Sequence, residues 1–149
     1  MMDDVQAIVR LTHDYALLND TFQVDALMEL FADGAVFDMT PVGLRRYEGR
    51  DAIRRFFERE REAMSHLMHL TSNHRIDVDG DEAAGTVYFH AMGRTRDGRE
   101  NAARGHYEDA YVRTPEGWRF RARRSCPLMP FDALRPAAGA DVSRTASAR

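Results

Sequence analysis

A single cysteine, Cys126, in 149 residues excludes an intrachain disulfide and fits a reducing cytosol. The chain also lacks a long apolar run: nothing approaches the ~20 residues that a membrane-spanning helix requires. Its opening, MMDDVQAIVRL, is acidic where a secretory signal is basic, and it holds no uninterrupted apolar core. An excess of positive charge is missing too. The formal net charge of −3 argues against a general binder of nucleic acid or of a membrane surface. Arginines do gather at Arg119, Arg121, Arg123 and Arg124, but acidic residues elsewhere offset them. What is present, 44% hydrophobic and 30% charged residues, suffices for one packed core in a chain of single-domain length. The expectation is a soluble, cytoplasmic domain with no nucleic-acid and no membrane partner.

Periodicity divides the chain in two. Val5, Ile8, Leu11, Tyr15 and Leu18 recur at steps of three and four, which predicts a helix over residues 4–19 capped by Asp3 or Asp4. A second helix is expected over residues 23–31, burying Val24, Leu27, Met28 and Phe31 and stopping at Asp33-Gly34. Residues 35–39 read as a strand, Pro41 to Gly43 as a turn, and residues 51–62 as a third helix with Ile53, Phe56 and Phe57 inside. From there strands are expected at 67–78, 84–95, 101–113 and 118–128. They are separated by Asp79-Gly80-Asp81, Arg96-Asp97-Gly98 and Pro115-Glu116-Gly117, the signature of consecutive antiparallel hairpins. Helices first and a meander afterwards mean an α+β domain, its three helices packed on one face of a strongly curved, mainly antiparallel sheet. The domain is assigned to residues 1–135, and the small, polar stretch 136–149 reads as a disordered tail. On the strand 84–95, Val87, Phe89 and Ala91 fall on one face and Tyr88 and Met92 on the other. Two apolar faces imply that another subunit covers the outer one, so a homo-oligomer is expected.

Three of the six histidines, His66, His69 and His74, lie within nine residues. Strict alternation on a strand puts His69, Thr71 and Asn73 on one face, and His74 with Leu70 and Ile76 on the other. His66 also has the parity opposite to His69. Three ligands cannot converge from two sides of a sheet, and the spacing matches no zinc pattern, so no metal site is expected. His69 remains; periodicity alone favours a structural role for it, half-buried and bonded to backbone, since the apolar parity of Met68, Leu70, Ile76 and Val78 puts the core on the other face.

Several stretches, taken in order, resemble a known family. Tyr15-Ala-Leu-Leu-Asn-Asp20, Asp25 to Phe37, Tyr47-Glu-Gly-Arg-Asp-Ala-Ile53, His69-x-x-x-Asn73, Gly105-x-Tyr107-x-Asp109 and Gly117-Trp-Arg-Phe120 are similar to the SnoaL-like group of the nuclear transport factor two-like superfamily. The resemblance covers about residues 5–130. It implies a cone-shaped α+β barrel with a deep apolar pocket between helices and sheet, usually in oligomers. Within the branch of scytalone dehydratase, hexachlorocyclohexane dehydrochlorinase and bile-acid dehydratase, an aspartate after the first helix orients a histidine on the sheet. Asp20 and His69 stand at those positions, Tyr15 matches a tyrosine one turn earlier, and Arg123 best matches an arginine on the last strand. That branch favours trimers and the wider superfamily dimers.

The chemistry needs these groups. A carboxylate on one imidazole nitrogen fixes the tautomer and stabilises the imidazolium that forms when the other nitrogen takes a proton. Removing a proton beside a leaving group also needs donors for the departing atom or a developing enolate, which Tyr15 and Arg123 can be. Elimination by this route uses no metal and no organic cofactor. The resemblance therefore implies a lyase of dehydratase type, with Phe37, Met39, Met64, Leu67, Asn73, Phe89, Ala91, Ala103, Tyr107 and Ser125 around a small apolar substrate, aromatic or polycyclic.

Other readings stay open at this level. Asp20 could cap the second helix, Tyr15 could be an ordinary core aromatic, and Arg123 shares the parity of the polar face with Arg119 and Arg121. A ketosteroid-type isomerase would use Tyr15 with Asp38, a polyketide cyclase could reuse Asp20 and His69, and a binding or oligomerisation module would use neither.

Overall fold

The structure, a computed structural model, describes residues 1–130 and the backbone of 132–136. Helix α1 (Asp4–Asp20) opens on a reciprocal cap: the Gln6 backbone N–H donates to Asp3 Oδ1 at 2.8 Å, and the Asp3 N–H donates to Gln6 Oε1 at 3.1 Å. In its first turn, Asp4 accepts two hydrogen bonds from Arg113 at 2.8 Å and one from Trp118 Nε1 at 3.1 Å. Those bonds, Arg113 first, drive the Asp4 carboxyl down to about 2 and pin the start of α1 to the far strands. The inner stripe of α1 is Ile8, Leu11, Thr12, Tyr15, Ala16 and Asn19.

A short α2 (Val24–Met28) leads into β1 (Phe31–Asp38), a 3₁₀ turn (Thr40–Val42), β2 (Arg46–Glu48) and α3 (Arg50–Ala63). Four long strands follow: β3 (Met64–Asp79), β4 (Glu82–Thr95), β5 (Arg99–Thr114) and β6 (Gly117–Pro127). A short β7 (Asp132–Pro136) then pairs with the start of β5. The sheet runs β2-β1-β6-β5-β4-β3, with β1 and β6 parallel and the other neighbours antiparallel.

The α+β class and the helices-then-meander order are as expected, but the cone-shaped, strongly curved barrel is not. The sheet is open, mixed and mostly antiparallel. Closure would require β2 to bond to β3, yet the three-residue β2 pairs with β1 and β3 pairs with β4. Two smaller corrections concern boundaries. The second helix ends at Met28, and Phe31 already belongs to β1; Asp33-Gly34 is an irregularity inside that strand, where Gly34 takes φ 70°. The tail expected to be disordered lies outside the described residues except for Pro136, which ends β7.

The core is largely aromatic. Tyr15 sits at its centre, with edge-to-face contacts to Phe31, Phe57, Tyr107 and Phe120 at centroid distances between 5.7 and 6.3 Å. Each such pair adds about 0.5–1.5 kcal/mol beyond the area it buries. This fixes the helix layer against the sheet and leaves a cavity toward one end of it.

Candidate functional site

Two irregularities in the sheet decide which side chains face the helices. Between Ser72 and Arg75 strand β3 carries one residue more than its partner, so that Asn73 and His74 together stand opposite Val87. Asn73 adopts φ 52°, a left-handed conformation that asparagine tolerates better than most residues. Alternation is reset there. His69 and Thr71 face inward above the bulge, His74, Ile76 and Val78 face inward below it, and Met68, Leu70 and Asn73 are exposed. The inference that His69 and His74 lie on opposite faces is thereby overturned, as is the shared face of His69 and Asn73.

His74 Nε2 lies 2.9 Å from Thr12 Oγ1, whose own hydrogen goes to the Val9 carbonyl at 2.7 Å. The imidazole must therefore donate. Burial, then the charge of His13, holds its pKa low, which suits a neutral structural role.

His69 meets Asp20 across the helix–sheet boundary. Its backbone N–H donates to Asp20 Oδ2 at 2.8 Å, and its Nδ1–H donates to Oδ1 at 2.6 Å. One carboxylate thus holds both the main chain and the ring, and Nε2 is left as the acceptor. The imidazole is 10% exposed and lines the cavity, whereas Asp20 stands behind it. Asp20 does not cap α2, whose N-cap is Gln23 without a side-chain bond.

The cavity has a volume of about 150 Å³. Of the expected lining residues, Phe37, Met39, Met64, Leu67, Phe89, Ala91, Ala103, Tyr107 and Ser125 lie on its wall together with Tyr15, and Asn73 does not. Val42, Leu44, Phe56, Phe57 and Met92 complete its apolar side, and Asn19, Asn101 and Glu60 add polar groups that periodicity had not singled out. Burial raises the pKa of both the Tyr15 and the Tyr107 phenol, so each enters any reaction protonated, as a donor.

Arg123 is inward for the same reason as His74. Strand β6 carries an extra residue, Arg121, between the pairs Ala110–Ala122 and Tyr111–Phe120. Trp118, Phe120, Arg123 and Ser125 therefore share the inner face despite their mixed parity. Arg123 does not reach the cavity. It is fully buried and bidentate to Asp109, with Nε–Oδ1 at 2.8 Å and Nη2–Oδ2 at 2.7 Å, and Tyr111 donates to the same carboxylate at 2.7 Å. Burial pulls the guanidinium pKa down, but the Asp109 charge and hydrogen bonds more than offset this and hold it above its ordinary value. Its guanidinium carbon lies 4.4 Å from the Tyr15 ring centre and 3.8 Å from that of Tyr107. The arginine thus sets its positive charge on the rings of the two cavity phenols.

Glu60 is the group that sequence reading missed. It lines the cavity from α3, its Oε1 is buried without a hydrogen-bond partner, and burial raises its pKa from the ordinary value of 4.5. The signal was available: Glu60 follows Ile53, Phe56 and Phe57 at seven, four and three residues, the inner stripe of α3, but it sits among the solvated charges of RFFEREREA. A folded-state pKa above the unfolded one means that the native state binds the extra proton. Stability from this group is full below the ordinary carboxylate pKa and is lost as pH rises through the raised one. Glu60→Gln should therefore melt higher than the parent at about pH 8, with the gap closing toward about pH 4. A gap that widens on acidification would refute the buried neutral acid.

Among the described residues, one grouping could offer three metal-binding atoms: His106, Glu108 and Cys126, within 4.8 Å of one another. None of the three lines the cavity, and Arg124 already lies 3.5 Å from the Glu108 carboxylate.

With this geometry in place, comparison with known proteins places the chain in its family. A family model for the SnoaL-like domain matches residues 1–124. The chain belongs to that family. Among solved structures, this SnoaL-like chain is 34% identical to a provisionally named aromatic ring hydroxylase from Novosphingobium aromaticivorans DSM, covering 87% of this chain and 92% of that one with a TM-score of 0.85. It is 26% identical to a provisionally named scytalone dehydratase from Novosphingobium aromaticivorans DSM 12444, over 91% and 93% of the two chains, with a TM-score of 0.77. A hexachlorocyclohexane dehydrochlorinase of type 2 shares the fold at 20% identity, a TM-score of 0.74 and coverage of 91% and 93%. A comparison with curated protein sequences finds no match. No described helix of this SnoaL-like chain is long and apolar enough to cross a membrane.

Proposed function

We propose that this SnoaL-like protein is a cofactor-independent lyase that removes a leaving group from a small apolar substrate by general-base catalysis. The observation that carries the reading is the Asp20–His69 pair, with the free imidazole nitrogen on the wall of an apolar cavity. Nε2 takes a carbon-bound proton, Asp20 stabilises the imidazolium, and the phenols of Tyr15 and Tyr107 hold the oxygen on which negative charge develops. Arg123 is a positioning residue here: it acts through the two phenol rings it stacks on rather than on substrate. A cavity of about 150 Å³ takes one benzene-sized ring, which favours a one-ring aromatic or alicyclic compound over a polycyclic one. The resemblance to a provisionally named scytalone dehydratase supports the dehydratase reading. Turnover that survives His69→Ala would remove it and leave a binding module.

The outer face of the sheet exposes Met68, Leu70 and Tyr88 at 49%, 56% and 44%. Together with the neighbouring Leu128 and Met129, these side chains form an apolar surface of the kind that subunit contacts cover. We place this face between copies of the chain, with a trimer favoured over a dimer. Light scattering at micromolar concentration should return an oligomer, and a monomer would defeat the assignment.

A further inference from the structure

We propose that Glu60 is a second catalytic group of this cavity, a carboxylic acid that protonates a departing hydroxyl group while His69 removes the carbon-bound proton. The substrate class that follows is a one-ring β-hydroxy ketone that loses water, rather than a compound that loses halide. This deepens the lyase reading and rests on it.

The placement carries the argument. Glu60 comes from α3 and His69 from β3, and both lie on the wall of the same cavity. The groups that act on the Glu60 carboxylate are the Asn19 amide, Asp20 and Tyr15 from α1, His69 from β3 and Tyr107 from β5. No arginine is among them within the described residues, and the chain has no lysine. The side chains of α3 on the cavity wall beside it, Phe56 and Phe57, are apolar. A carboxylate buried there with one oxygen unpaired is costly, whereas a carboxylic acid spends its hydrogen on whatever enters the cavity. A buried acid kept neutral in an apolar site is also the state in which a carboxyl group can donate.

The pairing with His69 fits an elimination in particular. Imidazole is too weak a base for an unactivated C–H bond, so the carbon must lie beside a carbonyl, whose oxygen the phenols can hold. His69 Nε2 takes that proton, and the C–H electron pair becomes the new C=C bond. The C–O bond at the β carbon breaks with its electron pair on oxygen, Glu60 gives its proton to that oxygen, and water leaves. An imidazolium and a carboxylate remain. A proton passed from one to the other, directly or through the released water, restores both groups, so the net change is ketone to enone plus water. The positive charge on His69 lowers the Glu60 pKa, so the first proton transfer strengthens the acid at the moment the leaving group needs it. Hydroxide is a poor leaving group and requires that proton. Chloride does not, and a site built for halide loss has no use for a neutral acid at this position.

The test has two arms on the full chain. In protein labelled with carbon-13 at the glutamate carboxyl, one resonance should titrate above the ordinary glutamate value and be missing from Glu60→Gln. In the second arm, 3-hydroxycyclohexanone, a one-ring β-hydroxy ketone of the size the cavity takes, is compared with 3-chlorocyclohexanone; both give cyclohex-2-enone, which is followed by ultraviolet absorbance. Glu60→Gln should slow loss of water by about 10²–10⁴-fold, far more than it slows loss of chloride, while His69→Ala slows both alike. A Glu60 carboxyl that titrates at the ordinary value overturns the proposal. So does a Glu60→Gln enzyme that slows both ketones alike, or neither, and so does a parent enzyme inactive on the β-hydroxy ketone. If His69→Ala leaves both rates intact while the Glu60 titration stands, the base has been misassigned and the lyase reading fails first.

Discussion

His69→Ala should lower turnover by about 10²–10⁴-fold, the scale of a lost general base. The fold should persist, because the imidazole borders a cavity and Asp20 keeps its bond from the backbone N–H of residue 69. Asp20→Asn should be of similar severity for a different reason. An amide that turns its NH₂ toward Nδ1 forces that nitrogen to accept, moves the ring hydrogen to Nε2 and removes the base. An amide turned the other way points its NH₂ at the backbone N–H, and it no longer neutralises the imidazolium. The double variant should be no slower than the worse single one, since the two residues act as a unit. Steady-state rates of the three variants, with circular dichroism as the control on folding, decide the matter. Independent, additive losses would mean that Asp20 does not act through His69.

Asp109→Ala should destabilise the protein by about 3–5 kcal/mol, the cost of stranding one member of a buried ion pair. Both side chains are 0% exposed, and Arg123 would be left over the Tyr15 and Tyr107 rings without its counter-ion. Replacing both partners with apolar residues, as in Asp109→Leu with Arg123→Met, should recover most of that loss. Urea denaturation of the two variants is the measurement. A single variant that loses less than about 1 kcal/mol would mean that water reaches the guanidinium. The double variant also separates stability from chemistry: if Arg123 positions the phenols by its charge, turnover stays low although the fold is restored.

Much of the element order was legible because helical and strand periods differ so plainly along this chain. Ile8, Leu11 and Tyr15 declare α1, and the turns at Gly80, Gly98 and Gly117 punctuate the meander. The Asp20–His69 contact, across 49 positions, was accessible only through family resemblance, since no local pattern joins a helix end to a strand. Facing failed where alternation was counted across a bulge. His74 and Arg123 were each placed on the wrong side, or in doubt, by one extra residue that leaves no mark in composition. The barrel failed because closure depends on whether two distant edges meet, which no hairpin signal encodes. Glu60 was hidden by its company: the five other charged residues of RFFEREREA make an inward acid look solvated.

The bulge in β3 has a meaning for length as well as for facing. Removing Asn73 would restore one-to-one pairing with β4, and His69, Thr71, His74, Ile76 and Val78 would all still point at the helices. The insertion is therefore silent with respect to which residues line the interior, and what it contributes is a bend. That bend divides the strand into a lower half packed on α1 through Thr12 and an upper half that stands beside the cavity. Gain or loss of a single residue at this position can thus redirect the strand while His69 and the other side chains that face the helices keep their places.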